Sequence, residues 1–522
     1  MVLPPKNLRT FVSNVLSLMV AQTFSGSIRE AHAAARAEVN EISDWDAWID
    51  GRGYSSDEQL ETTDPVVGEP ITTIPRCDAR DVDRAVDAAW EAYETQWAET
   101  TPRDRSKLLF EWTEKLRDHV DELALLECVD TGKPRSQARG EVEGAIDTIE
   151  YYASICRAED GRQITTGDDL HLYTRKEPYG VVGQILPWNF PIWAAAWKLG
   201  PALAAGNAAV LKPSADCPLT AIRIAELSEG VFPDGVLNIA TGTGSEVGAA
   251  ITDHEDVRKL SFTGSVSVGT NVMKAAADNV TPVTLELGGK SPFLVFPDAD
   301  LGRAVNAVAD GIFYSTGEIC DAFSRALVHE EIRDEFVDRF VDAAESYVLG
   351  DPLDEETTMG PLTSEAQYET VTDYIELGKE ESATLLTGGD PPENEELRDG
   401  WFIEPTVFGD VENDMRIAQE EIFGPVQTIN TFSDYDEAIK LANDTQFGLA
   451  AGVATERTSI AHNAAADLNA GLVYVNEYGP ILPEAPYGGF KASGIGKDLG
   501  TEVLEHYQRT KSVYVNLSEP TL

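Results

Sequence analysis

A sulfur nucleophile and a carboxylate 34 positions apart frame the chemistry open to this chain. Cys320 sits in Gly317-Glu-Ile-Cys320, a short turn-prone segment. Glu286 sits in Thr284-Leu-Glu-Leu-Gly-Gly-Lys-Ser291. The glycines after Glu286 let the backbone pass close to a ligand. The stretch between the two is long enough for a strand, a helix and a return. If they meet in space, a thiolate could attack an electrophilic carbon and the carboxylate could later activate water. A lone cysteine is ordinarily a small buried hydrophobe, so the surrounding residues decide.

Leu285-Glu-Leu-Gly-Gly-Lys-Ser-Pro292 and Gly317-Glu-Ile-Cys-Asp-Ala-Phe-Ser-Arg325 resemble the two signature segments of the NAD(P)-dependent aldehyde dehydrogenase superfamily. The resemblance runs from about residue 45 to 516. It implies Cys320 as nucleophile and Glu286 as the base for a hydrolytic second step. Relatives that pass the acyl group to coenzyme A lack this glutamate. In Leu186-Pro-Trp-Asn-Phe-Pro191, Asn189 matches the family's oxyanion donor, acting with the Cys320 backbone N–H. Lys198 matches a lysine given a proton-relay role with an acid near the C-terminus. Here that acid is Asp498, where many relatives have Glu. The pair is either that relay or a plain surface charge pair.

The same resemblance places the cofactor, NAD or NADP. Phe262-Thr-Gly-Ser265 follows a strand and opens a helix, where Gly264 allows a tight turn and Ser265 caps free N–H groups that favour a phosphate. Leu186, Pro187, Trp188 and Leu287 flank the same region. Gly242-Thr-Gly244 and Gly248 form a second glycine-rich turn, on the adenine side in the family. In Val210-Leu-Lys-Pro-Ser-Ala215, Lys212 and Ser214 match the adenosine-ribose segment. Ala215 stands where NAD-preferring members usually carry Glu, which removes the repulsion of a 2′-phosphate. Glu421 and Phe423 match the nicotinamide-ribose segment.

Phe190, Trp197, Tyr314 and Tyr487 align with the family's substrate funnel. Aromatic boxes favour quaternary ammonium groups, and Asp321 would add cation preference. The run from Pro483 to Gly500 looks like betaine-aldehyde and aminobutyraldehyde dehydrogenases. A semialdehyde or general aliphatic aldehyde is the alternative, although no Arg near Phe313-Tyr314 would greet an ω-carboxylate. A reading of another class is a silent ligand-binding homologue, against which the intact Cys320, Glu286 and Asn189 argue.

Composition narrows the rest. Lys and Arg number 40 against 90 Asp and Glu, a net charge of −50 spread along all 522 residues. Such acidity repels phosphate backbones and anionic lipid, so nucleic-acid and membrane partners are not expected. It suits a surface working in high salt, as in a halophilic source. Five sparse cysteines with no CxxC or HExxH pair suggest neither disulfides nor a metal site, and fit a reducing cytoplasm. Lys6, Arg9 and the apolar stretch Phe11 to Ala21 faintly resemble a signal peptide, but polar interruptions favour an extra helix or an early start codon for residues 1–44.

Strands alternating with helical periodicity predict an α/β protein: a Rossmann-like cofactor domain (45–158 and 178–288), an α/β catalytic domain (289–488) and a small β oligomerisation arm (159–177 and 505–517). The family's use of such an arm implies a homodimer or homotetramer.

Overall fold

The computed structural model describes residues 27–158 and 161–518. The signal-like stretch lies outside them. Buried apolar runs become parallel strands covered on both faces by helices, as a near-continuous apolar strand requires. Val181–Ile185 and Ala208–Lys212 are buried at every position. They join Leu237–Ile239, Lys259–Gly264 and Val283–Leu287 in an eight-stranded sheet. In space these five parallel strands run third, second, first, fourth, fifth in chain order. The order in which strands are added therefore reverses between Val181–Ile185 and Lys259–Gly264, and open α/β sheets bind ligands at such switch points. Ala47–Ile49 pairs antiparallel with one edge, and Gly494–Ile495 with the other.

A second, seven-stranded sheet is built from Pro292–Val295, Arg325–His329, Val426–Phe432, Thr406–Gly409, Ala450–Ala454, Leu472–Val475 and the antiparallel edge strand Thr384–Thr387. Helices run over Ala79–Thr95 behind an Asp78 capping box, Pro102–Asp118, Val120–Thr131 and Arg135–Ile155. The helix Ile28–Ile42 buries Ala31, His32, Ala35, Arg36 and Val39. Leu170–Pro178 pairs antiparallel with Gln508–Asn516, from Gln508 opposite Pro178 to Asn516 opposite Leu170. This ribbon is largely exposed, with Tyr514 at 67%. Among the described residues no helix is long and apolar enough to cross a membrane.

Candidate active site

A cavity of ≈ 300 Å³ opens between the carboxyl ends of the first sheet's strands and the segments that lead into strands of the second. Cys320 reaches it from a strained turn. After the helix Leu301–Phe313, Ser315 (φ 47°), Thr316 (φ 54°) and Gly317 (φ 75°) all adopt left-handed backbone. Two non-glycine residues in that region cost about 1–2 kcal/mol each, and both are buried, so packing must hold them there. Gly317 has no alternative, because a Cβ would strike the Gly424 carbonyl. Cys320 itself is half-buried, and its Sγ lies 3.0 Å from the Tyr487 hydroxyl. Burial pushes the thiol above its ordinary range, and neighbouring Asp321 adds to this; the Tyr487 hydroxyl acts the other way.

Asn189 ends the first strand's extension and is 5% exposed. Its amide donates to Glu318 O at 2.8 Å, two residues before the sulfur. One N–H of the amide is thereby fixed and the second remains. Behind it stands a buried charged cluster that the sequence reading missed. Lys133 Nζ donates to both Glu141 oxygens (2.8 and 2.7 Å) and to Asn189 O, and lies 3.9 Å over the Phe190 ring. Burial lifts Glu141 to about 8 despite Lys133. Glu127 accepts from Thr220 at 2.7 Å. Lys133 and Asn189 lie 56 positions apart, so no local spacing signals their meeting.

Glu286 is the last but one residue of Val283–Leu287 and faces the cavity. Among the described residues neither of its carboxylate oxygens has a partner in hydrogen-bond geometry; the Asp498 backbone N–H, already given to Tyr487 O, acts on it only weakly. Burial, then the nearby Asp498 charge, raise it well above the usual carboxylate range. Its space is carved by Gly488, where a Cβ would run into the carboxylate. Lys198 Nζ donates to Asp498 Oδ2 at 3.0 Å and to Ser261 Oγ at 2.9 Å, with both charged side chains 1% exposed. The surface-pair reading of these two is thus corrected: the charges are buried and paired, and Asp reaches the lysine. Thr284 and Lys259 extend this contact. Thr284 Oγ1 bonds Ser261 Oγ at 3.1 Å, and Lys259 Nζ bonds Thr284 Oγ1 at 3.2 Å. Burial brings Lys259 down to about 7.

Phe190, Trp197 and Tyr487 line the cavity, joined by Trp193. Trp197 packs on Tyr487 at 4.9 Å and on Trp193 at 5.7 Å between ring centroids. The spacing of Phe190, Trp193 and Trp197 is one helical face, a signal that was available. Two substrate expectations need correction. Tyr314 is absent from the cavity lining: it follows the helix end and packs with the second sheet's apolar core. Asp321 touches the cavity but is fully buried, and its two oxygens accept from Tyr474 and Tyr478 hydroxyls at 3.2 Å each. It is not a free anion awaiting a cation.

Pro187, Trp188, Gly264, Ser265, Leu287, Glu421 and Phe423 also line the cavity. Ser265 Oγ accepts from Val268 N at the start of the helix Val266–Asn279. Glu421 Oε1 accepts from Gly289 N at 2.9 Å, and Gly288 clears the space its carboxylate fills. Burial holds Glu421 up to about 7. Trp188 and Phe423 meet edge to face at 5.3 Å. Leu186, Lys212, Ser214, Ala215, Gly242, Gly248 and Phe262 lie outside the cavity lining, along the same strand ends. Leu186 N donates to Lys212 O at 2.9 Å. A Cβ on Gly248 would stand 3.8 Å from Lys212 Cδ, so Gly244–Gly248, which is helical rather than the turn expected, closes on the lysine. Burial lowers Lys212 to about 8. A Cβ on Gly242 would lie 2.6 Å from Val247 Cγ2, and one on Gly264 2.6 Å from Phe262 Cζ. Ala215 is half-exposed beside exposed Asp216, which Ser214 Oγ bonds at 3.1 Å. A helix N-terminus, two cleared glycine turns and buried lysine at a switch point fit a dinucleotide.

Comparison with known proteins agrees. The profile of the Aldehyde dehydrogenase family matches residues 52–513. An aldehyde dehydrogenase of Emericella nidulans is 44% identical over 462 residues, covering 88% of this chain and 92% of that protein. The crystal structure of betaine aldehyde dehydrogenase from Staphylococcus aureus in complex with NAD+ superposes with a TM-score of 0.92 at 38% identity, covering 94% of this chain and 98% of the other. The NAD+ complex of an aldehyde dehydrogenase from Bacillus cereus gives 0.90 at 41% identity, covering 92% and 99%. Over this length and identity, with a groove that fits the dinucleotide, the chain belongs to the aldehyde dehydrogenase family and is an NAD(P)-dependent enzyme.

Proposed function

We propose that the protein oxidises an aldehyde to its carboxylic acid, with water as the acyl acceptor. The Cys320 thiolate adds to the carbonyl carbon, and the carbonyl π pair moves onto oxygen. The remaining Asn189 N–H and the Cys320 backbone N–H hold that oxyanion. The Gly264–Ser265 turn, Lys212 and Glu421 would hold NAD(P)+, which would accept the hydride. As the oxyanion's pair re-forms the carbonyl, the C–H bond breaks and a thioester remains on Cys320. Glu286 takes a proton from water, the resulting hydroxide adds to the thioester carbon, and the Cys320 thiolate leaves. Lys198 and Asp498 offer the proton a route onward. The observation that carries this reading is the unpartnered, upshifted Glu286 carboxylate facing the same cavity as Cys320 and Asn189. A buried carboxylate with no protein partner is costly, and groups perturbed in this way cluster where chemistry is done.

For the substrate, the aromatic wall and the clamped Asp321 favour an aldehyde whose far end is apolar. Betaine aldehyde is the second reading, supported by the Trp197 and Tyr487 ring faces. The half-exposed Ala215 beside Lys212 supports use of NADP+ as well as NAD+. Assembly through the exposed ribbon as a homodimer or homotetramer, and work in a salt-rich, reducing cytoplasm, belong to the same reading. Initial rates over aliphatic, aromatic, trimethylammonium, amino and ω-carboxylate aldehydes, with each cofactor in molar KCl, test it. Apolar aldehydes should give kcat/KM at least tenfold above ω-carboxylate ones. Preference for a semialdehyde would contradict the apolar assignment.

A further inference from the structure

Tyr487 is more than a wall. It is 2% exposed and fixed by reciprocal backbone hydrogen bonds with Asp498, Tyr487 N to Asp498 O at 2.7 Å and Asp498 N to Tyr487 O at 2.8 Å. Its ring rests on Trp197. The hydroxyl is therefore held at 3.0 Å from Cys320 Sγ by backbone and packing, not by a flexible side chain. Beside the sulfur, Asp321 is kept fully buried by the Tyr474 and Tyr478 hydroxyls, and the Tyr487 hydroxyl is also within its reach, so the thiolate and this acid compete for the Tyr487 proton. A thiolate formed beside this acid, with Glu286 and Glu421 also near, meets negative groups from three segments. Tyr487 supplies the donor among them. Burial and Asp321 push its phenol well above the usual range, so it stays protonated and able to donate.

We propose that Tyr487 is a further catalytic residue, whose hydroxyl donates a hydrogen bond to the Cys320 thiolate and offsets the repulsion from Asp321. The phenol keeps its proton throughout. When the thiol proton leaves to water, both electrons of the S–H bond stay on sulfur and the Tyr487 O–H points to them. When the S–C bond forms from that pair, the acceptor weakens and the hydrogen bond loosens. A charged acceptor strengthens such a bond relative to the neutral thiol, so the contact favours the reactive form.

This rests on Cys320 being the nucleophile, and alkylation of that sulfur can be read without turnover. The rate of Cys320 modification by iodoacetamide is followed by peptide mass from pH 6 to 11, in the full-length protein, for wild type, Tyr487→Phe and Asp321→Asn, the rate near neutrality serving as the readout where the midpoint lies higher. Phe keeps the ring against Trp197. Tyr487→Phe should move the midpoint to higher pH and slow modification near neutrality by roughly tenfold, the size of one hydrogen bond to a charged group. Asp321→Asn should move it lower. An unchanged profile in Tyr487→Phe, whatever happens to KM, would overturn the proposal and leave the residue as a wall. Should Tyr487→Phe not fold, an Asp321→Asn profile that stays put or rises would overturn it equally. If instead Cys320→Ala retains turnover, the nucleophile assignment has failed, a result distinct from either.

Discussion

At the residue scale, the chemistry hangs on where side chains are left without partners. Glu286 has no protein hydrogen bond among the described residues, and Gly488 carves the space for its carboxylate. Gly288 performs the same service for Glu421. Cys320, Glu286 and Asn189 were all legible, because each sits in a motif whose residue types match the chemistry. Asp498 was half legible: its position was visible, but only packing shows that a shorter acid still reaches Lys198 at 3.0 Å. Tyr314's place and the free charge expected of Asp321 were misread for one reason. A motif gives a residue's neighbours along the chain, and these two side chains are captured by groups distant in sequence: Tyr474 and Tyr478 for Asp321, the second sheet's core for Tyr314.

At the scale of elements, strand alternation and helical periodicity predicted most of the scaffold, since burial on one or both faces imposes those periods. The helix Ile28–Ile42 was the hardest to place, because what holds it comes from far along the chain. His32 is fully buried between Asp64 (2.8 Å) and Asp351 (3.0 Å), and Arg36 Nη1 adds a 3.0 Å bond to Asp64. Burial alone would lower His32, but the hydrogen bonds to Asp351 and Asp64 outweigh it and raise it to about 9. Its folded pKa thus lies above its ordinary value of 6.5. The stability it contributes is complete below about pH 6.5 and is lost as pH rises through 9. A shift of this size corresponds to at most about 3 kcal/mol. Thermal unfolding of wild type and His32→Gln should therefore differ most at pH 6 and converge above pH 9.5. A gap that widens with rising pH would contradict the charged clasp.

At the scale of the whole molecule, a net charge of −50 sets the conditions for folding. Near 0.01 M salt the Debye length is roughly 30 Å, and near 1 M roughly 3 Å. Self-repulsion of the compact state should therefore be strong in dilute buffer and nearly absent in molar KCl. Molar KCl should raise both the thermal midpoint and the activity, followed by circular dichroism, light scattering and initial rates. An unchanged midpoint and full activity after dialysis into dilute buffer would show that the acidity serves solubility alone. Composition alone carries this expectation. It could not show how two separate sheets bring Cys320 and Glu286 to one cavity, because strand order and the closing of one sheet on another are set by long-range packing. The division of labour between those two residues is the central claim. In single-turnover mixing of Glu286→Gln with aldehyde and NAD+, one equivalent of reduced cofactor per active site should form rapidly. Steady turnover should fall at least a hundredfold, and the intact mass should gain an acyl group on Cys320. Loss of the burst, with cofactor binding retained, would place Glu286 before the thioester and contradict the account.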